Sequence, residues 1–134
     1  MTASALVTAA VEAQTPFLER VYPAVCLVVL GAVLVAMGRM GARRTLAPNA
    51  LLGIRTRRTM ASERVWYDVH ALTAPWSLAA GLVALIGIIP VLLLEGPFSP
   101  LAMLASVGTS IVILGLGTVH ALRRVPAAEP EADR

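Results

Sequence analysis

The chain has no lysine. All eleven of its basic residues are arginine, a codon-usage hint toward a GC-rich bacterial genome. It has one cysteine, Cys26, so an internal disulfide is excluded and a zinc site has little to build on. Charge is scarce too, at 14% of residues where a soluble domain carries about 25%. No basic residue precedes Arg20, and a secretory leader needs a basic stretch ahead of its apolar core. Residues 1–17 therefore read as an uncleaved tail, with a short surface helix expected over Ala5 to Ala13. No Asp, Glu, Lys or Arg falls inside the core of any long apolar run. Proton relays and ion-coupled carriers place such groups at mid-membrane depth, so a self-contained transporter is disfavoured. There is no HExxH, no pair of intramembrane acids, no glycine-rich phosphate loop and no Ser-His-Asp set. The expectation is a protein that is not an enzyme and holds no cofactor and no metal.

What is present is apolar surface. With 134 residues, 57% of them hydrophobic, and a mean hydropathy of +0.78, the chain reads as at most one domain, and that domain as membrane-embedded. A spanning helix needs about 20 mostly apolar residues. Three runs qualify, at about 21–38, 75–94 and 101–122. The fold class is all-α, an integral membrane three-helix bundle over 18–122 with a structured basic cytoplasmic loop, 39–74, between the first two helices. Gly38, Arg39 and Gly41 are expected to end the first helix. Ala32 and Ala36 offer it a weak small-residue contact face. Thr73 is expected to cap the second span, with Pro75 in its first turn. Pro90 is expected to kink that span. Ser77 and Gly81, with Ala80 and Ala84, allow close helix approach, and Ala102, Ser106 and Ser110 form a better small-residue face on the third span. The tight Glu95–Pro100 turn makes the last two spans antiparallel neighbours. Residues 123–134, rich in Pro, Ala and Glu, read as a disordered cytoplasmic tail.

Arginine placement orients the bundle. Seven arginines lie between the first and second runs, Arg123 and Arg124 directly flank the third with Arg134 beyond them, none lies in the turn between the second and third, and one precedes the first. The positive-inside rule then puts the N-terminus outside, the long loop and C-terminus in the cytoplasm, and the chain in a bacterial plasma membrane as a multi-pass protein. The pI near 10.0 is read as attraction to anionic headgroups, at about 1 kcal/mol per basic residue near the surface, with no direct nucleic-acid partner. Three helices make a thin bundle, and a homodimer is the expected assembly.

The polar stretch Asn49–His70 is the informative one. Asn49 and Gly53 are turn formers. Thr56 or Thr59 can cap the segment after it, and Ser62 can cap the next helix. Ser62, Trp66 and His70 then share one face of a helix leading into the second span. Leu51, Leu52, Ile54 and Met60 are expected to dip into the membrane interface while the arginines face headgroups. Arg55 has the best claim to a role, since a guanidinium followed by Thr56 can grip a carboxylate or phosphate. Its plainer use is to satisfy loop carbonyls. Arg43, Arg44, Arg57 and Arg58 read as orientation determinants. Trp66 reads first as an interfacial belt residue and second as a partner anchor. His70 reads first as a hydrogen-bonding residue and second as a switch.

Asn49, Gly53, Arg55, Thr56, Thr59, Ser62, Trp66 and His70 fall in the pattern NxxxGxRTxxTxxSxxxWxxxH. This resembles the signature loop of the SdpI family of bacterial membrane proteins. The resemblance covers the loop and the second span, and the flanking spans by hydropathy, as a single three-helix module. It implies a role in immunity to a secreted membrane-active peptide toxin, or in signalling by holding a cytoplasmic transcriptional regulator at the membrane. It makes those eight residues the ligand- or partner-binding candidates. A second reading is a structural or accessory subunit whose small-residue faces on spans two and three pack against another membrane protein. A third is a lipid-modifying enzyme using the loop as a headgroup site.

Overall fold

The computed structural model describes residues 3–126. They form a long first helix α1 (Ala3–Ala42), one turn α2 (Arg57–Met60), the helix α3 (Glu63–Ile86), its short continuation α4 (Ile88–Leu93) and the last helix α5 (Phe98–Arg124), with no strand among the described residues. Among the described residues, three segments are long and apolar enough to cross a bilayer: Glu19–Ala42, Glu63–Leu93 and Phe98–Arg124. At about 1.5 Å per residue each exceeds the ~30 Å hydrocarbon thickness. Many large apolar side chains on all three face outward, among them Val29, Leu82, Ile86, Leu104 and Ile111. Lipid is the natural solvent for that surface, and the expected all-α membrane bundle holds.

α3 is the central helix; α1 packs along one side of it and α5 along the other, with little contact between α1 and α5. On α1 the buried positions are Pro23 and the series Ala24, Leu27, Gly31, Leu34, Gly38 and Gly41. The alternating three- and four-residue spacing of that series is that of a left-handed helix seam. A Cβ on Gly31 would stand 3.0 Å from the Gly81 carbonyl oxygen, one on Gly38 3.0 Å from the Ala74 oxygen, and one on Gly41 2.6 Å from the His70 oxygen. Backbone meets backbone along this seam, which is how helices associate where lipid removes the hydrophobic drive. Gly38 and Gly41 therefore pack against α3, and the helix ends one residue past Gly41, at Ala42, close to where it is expected to end. Ala32 and Ala36, expected as the contact face, are exposed, because neither falls on the seam positions.

α3 and α5 meet through Ala80, Ser106 and Ser110, which are among the small residues expected, and through Gly87 and Gly117, which are not, while Gly81 packs against α1. Ser110 Oγ donates to the Ala80 carbonyl at 2.9 Å. A Cβ on Gly87 would lie 2.1 Å from Ser106 Oγ, and one on Gly117 2.4 Å from the Trp76 ring. These faces are used inside the chain, so they are not the surface with which it could meet another protein.

The second span begins earlier than its apolar run. α3 is continuous from Glu63, so Pro75 sits inside it and Thr73 is not a cap. Thr73 Oγ1 instead donates to the Val69 carbonyl one turn back, at 2.7 Å. A proline in a helix interior leaves one carbonyl four residues back without its usual partner, and the packed faces around α3 hold the helix through that defect. Pro90 does break the helix, and the break falls at Gly87, between α3 and α4.

At one end of the bundle α4 and α5 are joined by a short exposed turn, where Arg20 of α1 pairs with Glu95 at 2.7 Å. At the other end lies the 43–62 connection. The segment expected to be a tail before residue 18 continues α1 from Ala3. Arg123 and Arg124 form the last turn of α5, and Val125 is buried against Val65, Val69 and Ala121. The rest of the expected C-terminal tail, 127–134, lies outside the described residues.

Candidate functional site

The 43–62 connection is a folded unit seated on the ends of α3 and α5. It starts where α1 ends. The Thr45 amide donates to the Met40 carbonyl at 2.9 Å and the Arg44 amide to the Gly41 carbonyl at 3.1 Å. This is the paired-bond C-terminal cap that usually places glycine in the left-handed position. Here Arg44 occupies it, at φ 55°, and its guanidinium reaches Asp68 on α3 at 2.7 Å.

The chain then lays Leu46 into the core at 2% exposure. The Leu46 carbonyl accepts a 2.7 Å bond from Trp66 Nε1. Asn49 makes the expected turn, its Oδ1 accepting from the Leu51 and Leu52 amides at 2.9 and 2.7 Å. Gly53 follows at φ 115°, a backbone conformation that a Cβ disfavours. Space also forbids one: a Cβ there would lie 2.6 Å from His70 Nε2 and 2.8 Å from the Trp66 ring. Glycine thus lets the loop cross directly over the Trp66–His70 pair, whose rings stack at 4.2 Å between centroids.

His70 ties the crossing down. Its Nδ1 faces the Trp66 carbonyl at 2.7 Å, and its Nε2 accepts from the Ile54 amide at 2.8 Å. The two bonds together require the neutral imidazole with its proton on Nδ1. A neighbouring knot is built by the two threonines. Thr56 is the N-cap of α2, its Oγ1 accepting from the Thr59 amide at 3.1 Å. Thr59 Oγ1 returns the bond, accepting from the Thr56 amide at 2.9 Å, and donates to the Ile54 carbonyl at 2.8 Å. This reciprocal arrangement is a capping box with threonine at both positions. Ser62 stands at the N-cap of α3 but makes no side-chain capping bond.

Arg58 joins the unit to the third span. Its guanidinium donates to the Leu122 carbonyl at 2.9 Å and to the Val125 carbonyl. The last carbonyls of a helix have no partner within it and attract positive charge, so Arg58 closes the C-terminus of α5. It is not a mere orientation determinant, and neither is Arg44. Arg55 differs from both. One guanidinium nitrogen donates to the Ala50 carbonyl at 2.7 Å, and the side chain is otherwise exposed.

The eight candidates thus divide. Gly53, Thr56, Thr59, Trp66 and His70 are brought together in one buried or half-buried network, and Asn49 shapes the tip beside it. Arg55 stands on the rim. Ser62 takes part by position alone. Ile54, expected to dip into the interface, packs instead against the Val65–Val69–Ala121–Val125 cluster, while Leu51 is 91% exposed. Leu46 is a structural partner that the sequence does not single out, and Arg58 is one that it marks only as an orientation determinant. Leu46 acts through its carbonyl, which carries no residue-type signal. Arg58 acts across 64 positions, beyond the reach of local pattern. Among the described residues no group of three His, Cys, Asp or Glu side chains gathers as a metal site.

Comparison with curated proteins returns no match, and neither does comparison with solved structures. The SdpI/YfhL protein family matches residues 45–120, from the loop next to the end of α1 to the last turns of α5 and so over more than half of the chain. The match takes in the whole network around Trp66 and His70, and the chain belongs to the SdpI/YfhL family.

Proposed function

We propose that this SdpI-type membrane protein is a non-enzymatic binding module. In this reading it sits in a bacterial plasma membrane with the 43–62 loop and the C-terminus in the cytoplasm. The loop either takes part in immunity to a membrane-active peptide or relays its presence to a cytoplasmic partner. One observation carries the reading. The buried residues of the loop bond to each other and to the ends of α3 and α5, and this rigid base holds Arg55 and Leu51 outward. A loop that only joined two spans would not need such a base. An exposed guanidinium beside exposed leucine suits a partner segment that is both acidic and apolar.

The test is co-purification from native membranes in mild detergent, together with survival of cells exposed to a membrane-active peptide. Arg55→Ala is expected to lose the partner or the protection while inserting at the normal level. Unchanged partner recovery and unchanged protection would refute the reading.

The accessory-subunit reading rests on a different surface. α5 has only 17% of its apolar window buried, and a Cβ on Gly108 or Gly115 would meet nothing within 4 Å. If this outer face meets another membrane protein, Gly108→Leu will release that partner and Arg55→Ala will not.

A further inference from the structure

The loop end has a second polar feature that the network around His70 does not use. Because α1 and α5 flank α3 without closing on each other, a cleft of about 350 Å³ opens over α3. Arg44, just past the end of α1, and Arg124, at the end of α5, both line it, together with Asp68, Ala71 and Leu72 of α3. From Leu72 the outward face of α3 continues as Pro75, Ala79, Leu82 and Ile86, all exposed and spaced so that they share one side of the helix. The cleft therefore joins two guanidiniums to an apolar strip running down the span. That is the layout of a phospholipid: phosphate between the arginines, acyl chain along α3.

We propose that this cleft holds the headgroup phosphate of one anionic phospholipid. Three features support it beyond the presence of basic residues near a membrane. First, the arginines come from different helices and share one cavity. Second, Arg44 occupies the left-handed cap position at φ 55°. Glycine would be the easier residue there, and strain of this kind at a non-glycine position points to a use for the side chain. Third, Asp68 lines the same cleft and holds Arg44 in an ion pair. It pairs with Arg44 at 2.7 Å, and Arg64 Nε lies 3.8 Å from its other oxygen. The cleft lining thus carries two guanidiniums, Arg44 and Arg124, and one carboxylate, Asp68. The balance stays positive and favours an anion, while Asp68 keeps Arg44 in place when no phosphate is bound. The site is separate from the Arg55 rim, and its test does not depend on the function proposed for that rim.

The full-length protein would be exchanged into mild detergent and titrated with phosphatidylglycerol or phosphatidylcholine, and bound lipid counted by native mass spectrometry. Wild type is expected to retain one phosphatidylglycerol in preference to phosphatidylcholine. Arg44→Gly removes the side chain and relieves the backbone, so it is expected to weaken retention about fivefold with little change in melting temperature. Arg44→Gly combined with Arg124→Gln is expected to weaken it about twenty-five-fold. Asp68→Asn is expected to strengthen it, since it removes the competing carboxylate. Excess inorganic phosphate is expected to displace little of the lipid, because the acyl chain also contributes. Wild-type retention by the double variant, equal retention of phosphatidylcholine, weaker retention after Asp68→Asn, or full displacement by inorganic phosphate would each overturn the proposal.

Discussion

The bundle has two connections, and they are built in opposite ways. The turn between α4 and α5 is short and exposed. Gly96 there takes φ 57° with nothing near its missing Cβ, and the one ion pair, Arg20–Glu95, is largely open to solvent. The connection between α1 and α3 buries a tryptophan, a histidine and a threonine and crosses them with a glycine that has no room for a side chain. Both join neighbouring antiparallel helices, and the first shows how little that task requires. The second connection bonds the start of α3 to the end of α5 and leaves Arg55 exposed at its rim.

The same substitution at the two glycines measures this difference most strongly. Gly53→Ala meets both an unfavourable φ and a close approach to His70 and Trp66, and should cost about 3 kcal/mol. Gly96→Ala meets the φ alone and should cost about 1 kcal/mol. Thermal unfolding followed by helix content in detergent would show the gap, and equal losses would erase the distinction. Next in size, Arg58→Ala uncovers the Leu122 and Val125 carbonyls and should cost about 2 kcal/mol. It should also speed proteolysis near residue 125, which no change in the 94–97 turn should do. Trp66→Phe keeps most of the packed ring but leaves the buried Leu46 carbonyl without its donor, and should cost about 1–2 kcal/mol. The smallest effect belongs to the turn. Glu95→Ala breaks the exposed pair with Arg20 and should cost no more than about 0.5 kcal/mol, a barely measurable change in melting temperature.

Much of the loop is legible from residue types whose chemistry is local. Asn49 caps its own turn, Gly53 takes a positive φ and Thr56 caps a helix, as their side chains or lack of one suggest. The helical spacing of Trp66 and His70 places them on one face, and they stack there. The features that are not legible depend on partners far away in sequence. Arg58 looks like any juxtamembrane arginine until the end of α5 arrives beside it. The contact face of α1 is misleading because Ala32 and Ala36 fit a four-residue rule, whereas the real seam runs through Gly31 and Gly38, seven apart. Thr73 and Pro75 have the form of a helix start, but the apolar and aromatic contacts of Val65, Trp66 and Val69 carry the helix back to Glu63. A tertiary interaction overrides a sound local signal in each case.

The 43–62 loop is expected to behave as a rigid base fastened through His70, and amide hydrogen exchange on the protein in lipid nanodiscs would read this. The Ile54 and Thr59 amides should exchange far more slowly than those at Gly96 and Phe98, and His70→Ala should bring Ile54 to the rate of the turn while the α1 seam stays protected. An Ile54 amide that exchanges as fast as Gly96 in the wild-type protein would contradict the claim.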